Sequence, residues 1–196
     1  MSSPPAPLLL ASASPRRHEL LRRAGVAFEV SPADVDERAL AGEEPESYAA
    51  RIAREKALAI AGRAGSESRF VLGADTVVVV GDRIYGKPVD AEDAIRILRE
   101  LRGLTHRVLT AVALARSDGA FLRELRVESR VTLREASDPE IRAYVATGEP
   151  LDKAGAYALQ GEGARFVLRV EGSRSNVIGL PLDETLALLR DQGLAQ

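Results

Sequence analysis

The stretch F-V-L-G-A-D-T-V-V-V-V, residues 70–80, decides the fold class of this chain. Apart from Asp75 and Thr76 it contains only apolar residues and glycine, and such a run is typical of a central strand buried on both faces. Gly81 and Asp82 follow as a tight turn, which predicts a hairpin into a short strand at Arg83–Tyr85. Residues 70–80 therefore predict the middle strand of a sheet.

Strands and helices alternate on both sides of this run, which indicates the α/β class. We expect further strands at Pro7–Ala11, Phe28–Ser31, Arg107–Ala115, Ala120–Leu133 and Arg165–Val170, and helices after Ser14 and at Glu46–Gly62, Asp90–Arg102, Asp138–Ala146 and Asp183–Arg190. Residues 172–176 are expected to form a loop. The chain contains no internal repeat, low-complexity tract or long linker, so we expect a single domain over residues 1–196.

The composition excludes several classes of protein. With 27 basic and 29 acidic residues among 196, the net charge of −2 provides no general attraction for nucleic acid, and few aromatic side chains are present for base stacking. No cysteine is present, so disulfides, thiolate nucleophiles and Cys-ligated zinc are excluded. The start M-S-S-P-P-A-P lacks a basic leader and no apolar run approaches a membrane span. We expect a cytoplasmic protein that binds neither nucleic acid nor membrane.

Two arginines lie where a helix begins. Ser14 is a good N-cap, Pro15 suits the first helical position, and Arg16 and Arg17 then fall in the first turn, with Gly25 as the predicted stop. A cation beside the positive end of the helix dipole costs ~0.3–1 kcal/mol unless an anion binds there. The pattern favours a phosphate-binding site, and the alternative is a pair of solvated surface arginines.

Asp75 is the other strong signal, because burying a carboxylate in an apolar strand costs several kcal/mol without a partner. It is a candidate metal ligand or general base; the alternatives are a paired core aspartate or a strand that has already reached solvent. Glu37, in the acidic loop after Asp34 and Asp36, is a candidate second ligand for Mg²⁺, or simply solvated. Lys56 shares a helical face with apolar residues, where a lysine is usually an amphipathic surface side chain.

Residues 81–87, G-D-R-I-Y-G-K, match the first seven positions of a phosphate-binding Walker A loop. Pro88 then replaces the required hydroxyl residue, and the expected hairpin at Gly81 is no phosphate cradle, so this assignment is rejected. Lys87 is either a phosphate ligand or a surface charge. The small residues of 155–161 allow a flat ligand to approach the backbone, and Gln160 can offer a base edge both a donor and an acceptor. The alternative for this segment is a tight packing turn.

Taken together, the motifs resemble the Maf family of nucleoside triphosphate pyrophosphatases. The resemblance rests on seven segments in order: L-A-S-A-S-P-R-R-x-E-L-L (10–21), V-D-E (35–37), A-R-E-K-A (53–57), G-A-D-T-V-V (73–78), G-K-P (86–88), D-K-A-G-A-Y-A-L-Q-G (152–161) and G-L-P-L (179–182). It implies a mixed twisted α/β sheet flanked by helices, two lobes around a deep cleft, and often a homodimer. It also implies a divalent cation, Mg²⁺ or Mn²⁺, and cleavage of the α–β phosphoanhydride of a nucleoside triphosphate.

The resemblance also implies roles for particular residues. Asp75 would be the general base, Glu37 and Asp75 would hold the metal, and Ser12, Arg16, Arg17, Lys56 and Lys87 would engage the phosphates. Arg16, Thr76 and Gln160 resemble the trio of the branch that prefers dTTP and UTP. Two other functions stay open: a nucleotide sensor of cell division that binds without turnover, and a pyrophosphatase for inosine or xanthosine triphosphate.

Overall fold

The computed structural model describes residues 7–63, 68–120 and 122–195. Residues 1–6, on which the expectation about a leader rests, lie outside this part. The strands are β1 (Leu8–Leu10), β2 (Phe28–Val30), β3 (Phe70–Val80), β4 (Arg83–Tyr85), β5 (Thr105–Arg116), β6 (Leu122–Leu133) and β7 (Val167–Glu171). The α-helices are α1 (Pro15–Arg23), α2 (Pro45–Ala61), α3 (Ala91–Leu101), α4 (Asp138–Val145), α5 (Arg174–Ile178) and α6 (Leu182–Arg190). Three 3₁₀ turns cover Glu149–Asp152, Ala154–Ala156 and Gly161–Phe166.

The strands form one seven-stranded sheet in the order β2-β1-β3-β5-β6-β7, with β4 paired to β3. β1 is parallel to both β2 and β3, whereas β4 is antiparallel to β3 and β7 is antiparallel to β6. Val80 pairs with Arg83, so Gly81 and Asp82 form the expected two-residue hairpin turn, with Gly81 at φ +58°. The prediction of a mixed α/β sheet is therefore confirmed, and residues 70–80 form an inner strand of it.

Contacts divide the chain into two compact units. The first contains Met1–Asp75, Thr110–Arg126 and Gly179–Gln196, and the second contains Thr76–Leu109 and Val127–Ile178. The apolar core of the first unit includes Leu8, Leu10, Leu21, Leu72, Val112, Leu114, Leu180 and Leu189. The core of the second includes Val78, Ile97, Leu98, Leu101, Tyr144 and Phe166. The single domain of residues 1–196 and the deep cleft remain predictions.

Helix α1 begins and ends as the sequence predicts. Ser14 has the extended backbone of an N-cap and Pro15 occupies the first helical turn, where its missing N–H costs nothing. Gly25, at φ +73°, donates its N–H to the Arg22 carbonyl, and Val26 N–H donates to the Leu21 carbonyl. This is the Schellman arrangement that terminates helices at glycine. The first turn of α1, which carries Arg16 and Arg17, follows β1 after a short connection.

Helix α2 packs directly on β3 at Gly73. A Cβ on this residue would lie 2.2 Å from the Ala53 carbonyl oxygen and 2.7 Å from the Ala57 amide nitrogen. Glycine is therefore required there for the strand to touch the helix backbone. Because residues 73 and 75 share one face of β3, and residue 56 lies beside 53 and 57 on α2, this contact brings Asp75 to Lys56.

The expected loop at residues 172–176 is wrong, because helix α5 begins at Arg174. Ser173 Oγ accepts a hydrogen bond from the Asn176 amide at 3.2 Å, in the manner of a helix N-cap. The buried Asn176 side chain donates to the Val108 carbonyl and to Ser129 Oγ, both at 3.0 Å. These tertiary contacts fix a short helix that has no periodic signal in the sequence.

Within the part of the chain that the structure describes, no helix is long and apolar enough to cross a membrane.

Candidate functional site

Asp75, Lys56 and Glu37 meet in the first unit. Lys56 Nζ donates to Asp75 Oδ1 at 2.8 Å and lies 2.7 Å from Glu37 Oε1. Asp75 and Lys56 are buried, with relative exposures of 7% and 8%, whereas the Glu37 side chain is 46% exposed. One ammonium group therefore binds two carboxylates, one from the central strand and one from the acidic loop.

This geometry removes two of the alternatives. β3 has not reached solvent at Asp75, and Lys56 is no surface side chain, because its ammonium is directed at buried and half-exposed acids. A buried carboxylate needs a charged or hydrogen-bonded partner, and Lys56 supplies both. The pairing agrees with a structural ion pair as well as with a catalytic one, so the role of Asp75 depends on the groups around it.

Burial raises the pKa of Asp75 above that of an ordinary aspartate, because the charged form loses water. The Lys56 ammonium opposes this rise through its charge and its hydrogen bond, and Arg17 opposes it more weakly. A carboxylate with a raised pKa that is kept charged by neighbouring cations is suited to accept a proton.

Helix α2 also fixes the acidic loop that carries Glu37. Tyr48 is 9% exposed, and its hydroxyl donates to the Glu37 carbonyl oxygen at 2.7 Å. Arg51, one turn further along, forms a bidentate ion pair with Glu43 at 2.6 and 2.7 Å and donates to the Arg38 carbonyl. The loop is therefore attached to the helix that carries Lys56, which holds the Glu37 backbone within reach of the ammonium.

Arg17 is buried at the beginning of α1, which excludes a solvated surface arginine at this position. Its Nε donates to the Gly179 carbonyl at 2.8 Å, and its Nη1 donates to Ser12 Oγ at 3.1 Å. Burial lowers the pKa of Arg17, while the charges of Asp75 and Glu37 raise it. Arg17 is therefore close enough to interact electrostatically with both acids.

Ser12 is fixed from several directions. It is buried, and its Oγ accepts hydrogen bonds from the Ser14 amide at 3.2 Å and from Arg17. The half-buried ring of His18 lies with Nε2 2.8 Å from the Ser12 carbonyl oxygen. Arg16 follows in the same turn and is half-buried, and its charge contributes to lowering the pKa of Arg17. The connection between β1 and α1 thus places a hydroxyl and two guanidinium groups in one short segment.

The other predicted site residues belong to the second unit. Thr76 is half-buried in β3, whereas Lys87 and Gln160 are exposed. Gln160 directly precedes the 3₁₀ turn Gly161–Phe166. The roles of these residues remain predictions, and for Lys87 the alternative of a surface charge stays open.

Sequence reasoning missed the residues that position the site. Gly179 acts through its carbonyl, which leaves no signature in side-chain chemistry, although it opens the G-L-P-L motif. Tyr48 falls within the predicted helix Glu46–Gly62, but the contact of its hydroxyl with the loop was not predicted. A tyrosine on the buried face of a helix was the available signal, since a buried hydroxyl requires a partner.

The donor set fits a small divalent cation. Among residues 7–63, 68–120 and 122–195, no group of three or more Asp, Glu or His side chains is placed to hold a metal. Glu37 and Asp75 nevertheless approach one positive centre, the Lys56 ammonium. Mg²⁺ is commonly held by one or two carboxylates, with its other ligands supplied by water and substrate phosphates. These two acids suit such a cation, and cysteine or histidine ligands are not needed.

The chain is similar to known proteins over most of its length. The family model described as "Maf-like protein" matches residues 7–192. A protein of Anaeromyxobacter dehalogenans (strain 2CP-1) named dTTP/UTP pyrophosphatase is 55% identical over 188 residues, which cover 95% of this chain and 94% of that protein. One of the same name from Myxococcus xanthus is 54% identical over 187 residues, covering 95% and 93%. A solved nucleoside-triphosphatase, dITP/XTP pyrophosphatase, from Mycobacterium abscessus aligns at 15% identity with a TM-score of 0.42, covering 96% of each chain.

Proposed function

The chain belongs to the Maf family, and from that premise we propose that it hydrolyses the α–β phosphoanhydride of dTTP and UTP. The products are the nucleoside monophosphate and pyrophosphate. The proposal is supported by the relatives named dTTP/UTP pyrophosphatase, which match 95% of the chain at 54–55% identity. The observation that carries it is the buried Asp75, held beside Lys56 and within the electrostatic reach of Arg17.

In the proposed reaction Asp75 is the general base. It accepts a proton from a water molecule as the water oxygen bonds to the α-phosphorus and the bond to the bridging α–β oxygen breaks. The raised pKa of Asp75 improves its match to a proton acceptor near neutral pH, and Lys56 keeps it charged until the proton arrives. A general base of this kind contributes about 10²–10⁴-fold to the rate.

The cations of the first unit are proposed to hold the triphosphate. Ser12, Arg16, Arg17 and Lys56 would contact phosphate oxygens, because guanidinium and ammonium donors form strong charge-assisted hydrogen bonds with them. Arg17 is already oriented by Gly179 and Ser12, so little side-chain freedom is lost on binding. Lys87 is proposed as a further phosphate ligand, and Arg16, Thr76 and Gln160 as the residues that select the base.

Glu37 and Asp75 are proposed to hold Mg²⁺ or Mn²⁺. Such an ion, when bound with the substrate, offsets the negative charge of the phosphates during displacement. The Tyr48 contact would keep Glu37 in place for this task.

A pyrophosphate-release assay with dTTP, UTP, CTP, 7-methyl-GTP and ITP tests the proposal. We expect release that is highest for dTTP and UTP and that requires a divalent cation. Binding without release would indicate a sensor instead, and a preference for ITP would indicate the inosine-type enzyme.

The role of Asp75 is tested by Asp75→Asn, which keeps the shape of the side chain and removes its basicity. We expect turnover to fall by at least about 10²-fold with unchanged circular dichroism. Asp183→Asn, at an exposed aspartate in the first turn of α6, is the matched control and should retain activity. Near-normal turnover of Asp75→Asn would remove Asp75 from the mechanism.

A cytoplasmic location and a homodimer complete the proposal. Cell fractionation and light scattering of the purified protein test them.

A further inference from the structure

Gln160 lies in a segment whose backbone is held on both sides by one pair of side chains, the half-buried Glu149 and the buried Tyr144. After Gln160, the carboxylate of Glu149 accepts hydrogen bonds from the amides of Glu162 and Gly163, both at 2.9 Å. Before Gln160, the Ala158 backbone lies beside the Tyr144 hydroxyl, and its amide opposes the rise that burial causes in the pKa of Tyr144. The residue proposed to read the base is therefore bracketed by two fixed points.

Glu149 and Tyr144 are joined to each other. The Tyr144 hydroxyl donates to Glu149 Oε1 at 3.0 Å, and the Tyr144 ring is completely buried against Phe166, with ring centroids 5.1 Å apart. Glu149 is held in turn through its own amide, which donates to Thr147 Oγ1 at 3.1 Å. The two fixed points thus belong to one rigid network.

Two glycines allow the backbone to approach this network. A Cβ on Gly161 would lie 2.6 Å from Glu149 Oε2, and Gly161 has φ +68°, a conformation that glycine tolerates best. A Cβ on Gly163 would lie 2.4 Å from the Tyr144 hydroxyl oxygen. The sequence G-E-G after Gln160 is therefore matched to the carboxylate and hydroxyl that it encloses.

The Gln160 side chain itself is exposed, and it makes no hydrogen bond with any residue of 7–63, 68–120 or 122–195. The Gln160 backbone is fixed while its side-chain carboxamide remains available for a ligand, and recognition of a ligand requires this combination.

We propose that Glu149, together with Tyr144, is a positioning residue that sets the base selectivity of the enzyme by fixing the backbone on both sides of Gln160. The proposal rests on the proposed function, because it assigns to Gln160 the base contact described there. Glu149 does not touch the substrate; it determines where the Gln160 amide lies.

The test is a double-mutant cycle on selectivity, measured as the ratio of kcat/KM for dTTP to that for CTP. Glu149→Gln keeps the size of the side chain, but its NH₂ group cannot accept from the backbone, so one of the two amides loses its partner. We expect Glu149→Gln and Gln160→Ala each to lower the ratio about tenfold, and the double variant to be no worse than either single variant. Glu162→Gln is the control, because the exposed Glu162 side chain forms a loose ion pair with Arg165, at 3.8 Å, and its substitution should leave the ratio unchanged.

If Glu149→Gln folds poorly, a second variant and a second measurement still test the proposal. Tyr144→Phe keeps the ring and removes the hydroxyl, and it should lower the same ratio. Amide hydrogen exchange at Glu162 and Gly163 should become faster in Glu149→Gln, which a general loss of stability would not confine to these two positions.

Several outcomes would overturn this role. They are unchanged selectivity in folded Glu149→Gln, unchanged selectivity in Gln160→Ala, and a loss in the double variant equal to the product of the single losses. A wild-type protein that releases no pyrophosphate would overturn the proposed function itself, whereas an active and selective wild type with an unaffected Glu149→Gln variant would overturn only the role of Glu149.

Discussion

His106 makes the fold sensitive to acid, and the size of the effect follows from its surroundings. The side chain is 2% exposed; its Nε2 lies 2.8 Å from the Tyr157 hydroxyl, and its Nδ1 has no hydrogen-bond partner among the described residues. A charged ring would place an unpaired N–H in the core, and burial lowers the pKa of His106 to about 4. The unfolded chain therefore binds a proton at a higher pH than the folded chain does.

The sign and magnitude follow from linkage. Because the folded pKa lies below the ordinary value of about 6.5, stability is fully present above that value and is lost as the pH falls towards 4. Between pH 8 and pH 5 the loss from His106 alone amounts to about 2 kcal/mol. The measurement is urea unfolding at both pH values, followed by circular dichroism, for the wild type and for His106→Gln.

We expect the wild type to lose about 2 kcal/mol more than His106→Gln over this interval. The carboxylates titrate in both proteins, so the difference isolates His106. His18→Gln, at the other histidine of the chain, which is half-buried, is the matched control substitution. Equal acid losses in wild type and His106→Gln would refute the reasoning, because the buried ring would then not resist protonation.

Two substitutions test how the first unit is assembled, each by urea unfolding. Gly73→Ala should lower the free energy of unfolding by at least ~2 kcal/mol, because its Cβ would meet the Ala53 carbonyl oxygen at 2.2 Å. The control Gly62→Ala should lower it far less, because its Cβ would lie 3.5 Å from its nearest neighbour. Equal losses in the two variants would contradict the packing argument. Arg17→Lys should cost ~1–3 kcal/mol, since one ammonium cannot replace two guanidinium donors bound to separate groups. The control Arg23→Lys changes a side chain that is 71% exposed, and an Arg17→Lys variant as stable as this control would show that the two hydrogen bonds contribute little.

The sequence predicted those parts of the fold that local chemistry determines. β3 covers residues 70–80 as expected, because a continuous apolar run is stable when it is buried on both faces, as a central strand is. Helix α1 begins at Pro15 and ends before Gly25, because proline and glycine have strong positional preferences at helix ends. Asp75 was identified as a site residue because a carboxylate in such a strand is costly without a partner.

The contacts that depend on tertiary structure were not predictable in the same way. The Tyr48 hydroxyl joins residues that are 11 positions apart, across a loop with no periodic pattern. Glu149 binds amides 13 and 14 residues further along the chain, and a single glutamate after a glycine carries no signal of that role. His106 lies directly before the predicted strand Arg107–Ala115, and that pattern does not predict its contact with Tyr157, 51 residues away.

The Lys56 ammonium between Glu37 and Asp75 means that the chain supplies its own positive charge where these two acids meet. Zinc fingers, by contrast, fold only when they bind their ion, because the free energy of binding stabilises the folded state. Here a lysine of helix α2 already offsets part of the negative charge of the two acids, so we expect the chain to fold without a bound metal. Under the proposed function, removal of the divalent cation is then expected to abolish turnover while the fold stays intact.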